Sequence, residues 1–298
     1  MVRFTDSGLP RIRGGLLERF RFERFRRRHR PLGVPSIGVA SGKGGTGKTF
    51  TTTNLAVLLA KRIGQVQIVD ADLGLGNAHV HLGLRPLKNL QHYLDGEVSL
   101  DDLQLVSEHG VRLLPGGTGI SRLSQLEGVE LRRLSQDLVG TIGGSRAVFI
   151  DSAAGISPQA LLFLRCTELV VLVVTPELPS LTDAYAVIKC LVLRQPECRF
   201  LVLVNRTDSR AQAREVFEKL SDVASRFLSI PLHYLGGVPE DRAVRASLGA
   251  KVPHVIRAPR SPASRALDKA ARELTKCVSG IDLSGERRDF TERLLEQF

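Results

Sequence analysis

The stretch "SIGVASGKGGTGKTFTT" (residues 36–52) decides how the rest of the chain is read. A short apolar run leads at once into Gly42-x-x-x-x-Gly47-Lys48-Thr49, the spacing of a phosphate-binding loop. Small residues let backbone N–H groups converge on an anion, and a helix N-terminus behind them adds its own unpaired N–H groups. Gly42, Gly44, Gly45, Thr46, Gly47, Lys48 and Thr49 therefore form the candidate phosphate cradle. In this pattern Lys48 reaches the β- and γ-phosphates and the Thr49 hydroxyl serves Mg²⁺. A glycine-rich turn without a ligand is the bland alternative, and the predicted strand before the loop and helix after it weigh against that. Lys43 is surplus to the pattern, a second cation in a turn that wants small residues.

Working outward, "VQIVD" (66–70), "VRLL" (111–114), "AVFID" (147–151), "ELVVLVVT" (168–175) and "FLVLVN" (200–205) read like "SIGVA" (36–40), as short buried strands. The helix after the loop stops at Gly64, and helical stretches at 158–166, 179–194 and 210–228 separate later strands. This alternation predicts an α/β fold: a doubly wound, mostly parallel sheet flanked by helices, binding its ligand at the carboxyl ends of the strands. Three regions are expected: a basic arm over 1–35, a P-loop domain over 36–260 and a C-terminal helical segment over 261–298.

Acids stand where strands end. Asp70 and Asp72 are two apart after the second strand, and Asp151 closes "AVFID" before "SAAGIS". Carboxylates beside a triphosphate are costly unless a metal ion or a positioned water uses them. Asp151 has the Walker B placement, so Thr49, Asp70 and Asp151 are the candidate Mg²⁺ group. Asp72 is the candidate that orients the attacking water. Gly155 is placed to bring backbone near the γ-phosphate. Solvated loop acids and a plain strand-terminal Asp are the alternatives.

Of the net charge of +11, residues 1–35 contribute +7, from ten Arg against Asp6, Glu18 and Glu23. The chain contains no run of about 18 apolar residues, so no membrane span is expected. Cys166, Cys190, Cys198 and Cys277 are irregularly spaced and form no C-x-x-C, which points to reduced thiols and a cytoplasmic protein. His79 and His81 form H-x-H with no third ligand at metal-like spacing, and Ser152 lacks the G-x-S-x-G elbow of a hydrolase nucleophile.

"KGGTGKT" resembles the deviant Walker A motif of MinD/ParA-class P-loop ATPases, and the likeness extends over approximately 35–255. Within that class, "VDADLGLGNAHVHLGLRP", "NLQHYLDGE", "IDSAAGIS" and "LTDAYAVIK" look most like the flagellar-number regulators of the FlhG/FleN group. The resemblance implies a slow, Mg²⁺-dependent ATPase that forms a homodimer when ATP is bound. It implies that Lys43 crosses the dimer interface to the other subunit's nucleotide, that Asn205 contacts adenine, and that Pro239 and Glu240 belong to a segment closing over the base. ATP is favoured over GTP, although "VNRTD" (204–208) mimics a guanine-reading motif. An FlhF-like GTPase or a flagellar transcription regulator is the implied partner. "TDSGLPRIR" is a poor match to the arm motif with which such relatives stimulate that GTPase. The rivals are a division-site MinD, a ParA-like partitioning ATPase and a nucleotide-sensing adaptor with negligible turnover.

Both ends invite partners. Phe290, Leu294 and Phe298 fall on one helical face, while residues 286–298 carry a net −1. This face fits a membrane (through 285–298), the protein's own body or a partner. The Arg-rich arm, with a predicted helix over 14–33 and interleaved Phe20, Phe22 and Phe25, fits acidic lipid, nucleic acid or a protein. Nucleic acid is not the favoured partner of the arm, and a solvated tail is the plainest reading of it.

Overall fold

Each of the six apolar runs forms a strand, and their neighbours in space differ from their neighbours in sequence. The computed structural model describes residues 34–72, 76–117, 128–281 and 290–295. The strands are β1 (Ser36–Ala40), β2 (Val66–Ala71), β3 (Leu105–Val106), β4 (Val111–Leu114), β5 (Ala147–Ser152), β6 (Leu169–Val174), β7 (Arg199–Thr207) and β8 (Leu232–Pro239). They form one sheet in the order β3-β4-β2-β5-β1-β6-β7-β8. Every pairing is parallel except the short antiparallel β3–β4 edge. The order reverses around β1, which is where a doubly wound sheet opens a crevice above its strands.

Helices cover both faces. Residues Ile37, Val39, Ile68 and Phe149 point to a layer containing α1 (Lys48–Ile63). The alternate residues Val148, Ile150, Val170 and Leu172 point to the opposite layer. That layer holds α4 (Gly128–Ile142), α5 (Pro158–Leu164), α6 (Leu178–Val192) and α7 (Arg210–Leu228). Between β2 and β3 lie the short helices α2 (Ala78–His81) and α3 (Leu90–Leu94). After β8 come α8 (Arg242–Ala250), α9 (His254–Arg257) and α10 (Pro262–Ser279). Leu267, Ala271 and Leu274 of α10 share a core with Leu55 and Leu59 of α1, so the sequence boundary expected at 260 runs through one packed layer.

Seven elements escaped the sequence reading: the strands β3 and β8 and the helices α2, α3, α4, α8 and α9. β3 is two residues long, α2, α3 and α9 are four or five, α4 lies in a polar stretch, and β8 contains Gly236-Gly237 and an exposed His233, as suits an edge strand with little apolar alternation.

The last described helix is α11 (Phe290–Leu295). Phe290 and Leu294 are buried in a cluster with Val34, Leu134, Leu138 and Phe163. Of the three surfaces open to this helix, it covers the protein's own body, because an amphipathic stripe gains as much from an apolar groove as from lipid. Below it, Glu168 is half-buried and accepts the Ser36 N–H at 2.7 Å and the Ser36 hydroxyl. Burial pushes Glu168 up, against the pull of those bonds and of Arg293. The predicted arm helix at 14–33 and Phe298 lie outside the described residues. Among the described residues no helix is long and apolar enough to cross a membrane.

Candidate nucleotide site

β1 delivers the loop to the carboxyl edge of the sheet, beside the reversal of strand order. Gly47 takes a left-handed backbone, φ 93°, and a Cβ there would lie 2.4 Å from Asn205 Nδ2. Gly42 passes so close to α6 that a Cβ would meet the Asp183 carbonyl carbon at 2.2 Å. Gly44 and Gly45 are exposed at the crest, and Thr46 is buried. No side chain caps α1, so its first N–H groups face the loop, the arrangement that holds anions. Lys48 and Thr49 open this helix.

The acids converge on the same place. Asp70 and Asp151 sit opposite each other on β2 and β5, both buried. Asp151 Oδ1 accepts the Thr52 hydroxyl at 2.9 Å, and the carboxylate also accepts from Thr49. Burial pushes Asp151 up to about 6, against the Thr49 and Thr52 bonds and the Lys48 charge. Burial and the charge of Asp151 push Asp70 well above the ordinary carboxylate range. Burial lowers Lys48, while Asp151 and Asp72 pull it back. Two buried carboxylates side by side favour a cation between or beside them.

The intended Mg²⁺ group is therefore not uniform. Asp70 accepts the Asp72 N–H at 3.3 Å and the Ala78 N–H at 3.1 Å, so backbone engages both of its oxygens. Thr49 and Asp151 supply a hydroxyl and a carboxylate. These hard oxygen donors suit Mg²⁺, which takes few protein ligands and fills its shell with water and phosphate oxygen. Asp72 stands half-buried at the rim. Gly155 returns to the loop, its N–H bonding the Ser41 carbonyl at 2.9 Å. Ser152 donates to the Val39 carbonyl at 2.9 Å, which gives it a strand-bracing place. His79 and His81 lie in the helical turn α2 rather than on a strand, and burial lowers His81 to about 4.

The other end of the site is built from β7 and β8. Asn205 Nδ2 donates to the Thr46 carbonyl at 2.8 Å, bracing the loop where adenine contact was expected. After it the pairing slips, and Arg206 bulges out with φ 57°. The Arg206 guanidinium pairs with Glu240 at 2.8 Å, and Glu240 N–H bonds the Thr207 carbonyl at 3.0 Å. Pro239 ends β8 opposite Thr207. Lys43 points away from the acids and pairs with Glu177 at 2.9 Å, both side chains about half exposed.

Sequence reasoning missed Thr52 and Asn54. Thr52 steadies Asp151, and Asn54 Oδ1 accepts the Val255 N–H at 3.0 Å, tying α1 to α9. The available signal was the run Thr51-Thr52-Thr53-Asn54, four poor helix formers inside a helix, all buried.

Comparison with known proteins agrees with this geometry. The model of the CobQ/CobB/MinD/ParA nucleotide binding domain matches residues 37–253. The antiactivator FleN of Pseudomonas aeruginosa is 36% identical over 263 residues, covering 88% of this chain and 94% of its own. The flagellum site-determining protein YlxH of Helicobacter pylori is 32% identical over 266 residues, covering 87% of this chain and 89% of its own. Among solved structures, the septum site-determining protein MinD of Pyrococcus horikoshii complexed with Mg-ADP superposes with a TM-score of 0.69 at 29% identity. It covers 83% of this chain and 98% of its own. The likeness to MinD/ParA proteins and to flagellar regulators, read first from short motifs, thus extends over most of the chain. With a model match that spans the sheet and the phosphate loop together, the chain belongs to the CobQ/CobB/MinD/ParA nucleotide binding domain family.

Proposed function

We propose that the protein is an ATP-dependent switch that dimerises when loaded, hydrolyses ATP slowly and regulates flagellar number or placement. One observation carries the switch: Lys48, Thr49, Asp72 and Asp151 are gathered at an uncapped helix start, while Lys43 is held outside on Glu177. The loop amides and Lys48 bind the phosphates. Thr49 and Asp151 hold Mg²⁺, which supplies charge neutralisation on the phosphate oxygens. Asp72 positions the water, and Gly155 lies where backbone can register the γ-phosphate. Asn205 fixes the loop from behind, and Pro239 and Glu240 border the base. Lys43 is a cation without a phosphate in its own subunit, so a second loaded copy, meeting it face to face, gives it one. For that it leaves Glu177, an exposed pair of small worth.

The flagellar reading rests on the names of FleN and YlxH at 36% and 32% identity. An antiactivator acts against an activator, so a transcription regulator is the first partner class, with an FlhF-like GTPase second. Membrane contact through 285–298 requires α11 to leave its groove, since Phe290 and Leu294 are buried there. The switch is tested by light scattering with a non-hydrolysable ATP analogue. Wild type is expected to double in mass, whereas Lys43→Ala binds the analogue and stays monomeric. A Lys43→Ala variant that still dimerises removes the role given to that lysine. Counting flagella, septa and nucleoids in a deletion strain tests the cellular reading. Altered flagella with normal septa and nucleoids support it, and minicells or anucleate cells move the cargo elsewhere.

A further inference from the structure

His254 is the one fully buried histidine among the described residues, and it stands outside the phosphate site. It opens α9, just after Lys251 turns the chain with a left-handed backbone, φ 56°. Both ring nitrogens are engaged. Nδ1 lies 2.9 Å from the Ser247 hydroxyl of α8, and Nε2 lies 2.7 Å from the hydroxyl of Ser261, which caps α10. Ser261 also bonds the Asp241 carboxylate, whose Oδ2 is 3.9 Å from Nε2. Asp241 Oδ1 caps α8 on the Ala243 N–H at 2.9 Å, and Oδ2 accepts the Ala263 N–H at 3.2 Å. Burial pushes Asp241 up, but these N–H bonds and the Ser261 hydroxyl outweigh it and hold the carboxyl low. Burial lowers His254 against the Asp241 charge, so the ring is neutral and carries one proton. The nearby carboxylate draws that proton to Nε2. Ser261 then accepts from the ring and donates to Asp241. Ser247, which also reaches the Ala243 carbonyl at 3.0 Å, turns its proton to the bare Nδ1.

The same turn is fixed to the phosphate end at two places. Phe50, the residue after Thr49, packs on the His254 ring with centroids 5.8 Å apart, and Asn54 joins the Phe50 carbonyl to the Val255 N–H. The Lys251 carbonyl oxygen approaches Gly83 so closely that a Cβ there would lie 2.6 Å away, and Gly83 follows α2, whose first N–H is held by Asp70. Asp241, at the other end of the chain of bonds, directly follows Pro239 and Glu240. We propose that His254 is a positioning residue for recognition of the nucleotide base, holding the Pro239–Asp241 segment in place against the phosphate loop through Ser261 and Asp241. The proposal rests on the reading that Pro239 and Glu240 border the base. The exposed Arg206–Glu240 pair is worth too little to fix that segment. A buried chain of satisfied polar groups rigidifies what it joins, and a base contact needs its segment placed to within about 0.5 Å. Histidine suits the place because one flat ring stacks on Phe50 while bonding hydroxyls at two of its corners.

The test uses the full chain with Mg²⁺ and measures affinity for ADP and for inorganic pyrophosphate, each by competition against a fluorescent ADP analogue. Pyrophosphate reports the phosphate end alone, so the ratio of the two affinities reports the rest of the nucleotide. His254→Leu keeps the bulk against Phe50 and removes both ring nitrogens. Its ADP affinity should fall about tenfold while pyrophosphate affinity stays within about twofold of wild type. An equal loss for both ligands marks a merely structural role and overturns the proposal. His254→Gln sets an amide near the place of Nε2, within reach of Ser261, and should recover ADP affinity to within about threefold of wild type. His254→Asn sets its amide near Nδ1, reaches only Ser247 and should behave as His254→Leu does. If the Leu variant folds poorly, the contrast between Gln and Asn carries the test, and equal ADP affinities in those two overturn the route through Ser261. Wild type that binds pyrophosphate as tightly as ADP removes the base-bordering reading and the proposal with it. A normal wild-type preference that His254→Leu retains overturns the role of His254 alone.

Discussion

The phosphate end of the site and the β7–β8 end, the one proposed to border the base, are built on opposite principles. At the phosphate end, Asp70, Asp151 and Thr52 are buried, Lys48 is largely desolvated, and glycines let backbone approach where a Cβ would collide. At the base end the charged groups stand in water: Arg206 and Glu240 pair with both side chains 54% exposed, and Lys43 meets Glu177 in the same way. Desolvated groups interact strongly and tolerate no loss of a partner. Exposed pairs are exchangeable at little cost. The first end is suited to holding one ligand tightly, and the second to changing partners.

The largest expected effect tests the buried end. Lys48→Ala removes the desolvated cation from the phosphates, and truncating one member of such a pair costs roughly 2–5 kcal/mol. Binding of a fluorescent ATP analogue should fall by about 100-fold or more with the fold intact. A loss below about tenfold would place the phosphates elsewhere.

Asp72→Ala comes next, because it sits at the rim between the two ends. Single-turnover hydrolysis should drop about 100-fold, ATP affinity should hold within a few-fold, and the ATP dimer should accumulate. Wild-type hydrolysis in this variant sinks the water-positioning role.

Asp151→Asn separates affinity from stability. Burial holds the Asp151 carboxyl at about 6, above its ordinary 3.8, so the folded state keeps a proton that the unfolded chain has released. The nucleotide-free protein should therefore gain stability as pH falls from about 6 towards 4 and lose it as pH rises through that window. At pH 7.5, Asp151→Asn should raise unfolding free energy by about 2 kcal/mol without ligand and abolish the further rise on adding Mg²⁺ and ADP. Destabilisation without ligand would mean that the Thr49 and Thr52 bonds outweigh the buried charge.

The smallest effect belongs to the exposed end. Arg206→Ala should change stability by less than about 1 kcal/mol and ADP affinity by no more than a few-fold. A larger loss by isothermal titration would show the base end to be as rigid as the phosphate end.

The same contrast governs what could be read beforehand. The phosphate end is written locally: loop spacing, a Lys-Thr pair and acids closing apolar runs each fall within a few residues, and the strands carrying them appear where the runs do. The base end is written across the fold. Asn205 reaches Thr46, and the bulge at Arg206 exists because β8 pairs out of step with β7. No local pattern announces either. Thr52 was hidden because a helix interior normally has no use for a hydroxyl. The apolar stripe of α11 was visible, but its destination was not, since lipid and protein groove reward the same spacing.

Val34 at the head of β1 and Leu294 of α11 lie in one apolar cluster, beside Ser36 and Glu168, at the amino ends of the strands. As chain connectivity, the fold is close to a closed ring whose seam lies at the pole opposite the nucleotide. A short linker from 295 to 34 should permit circular permutation, with new ends opened in the exposed 84–89 turn at Leu87. Fusions attached at either side of the seam hang from that far pole, and the face proposed to meet a second copy stays clear of them.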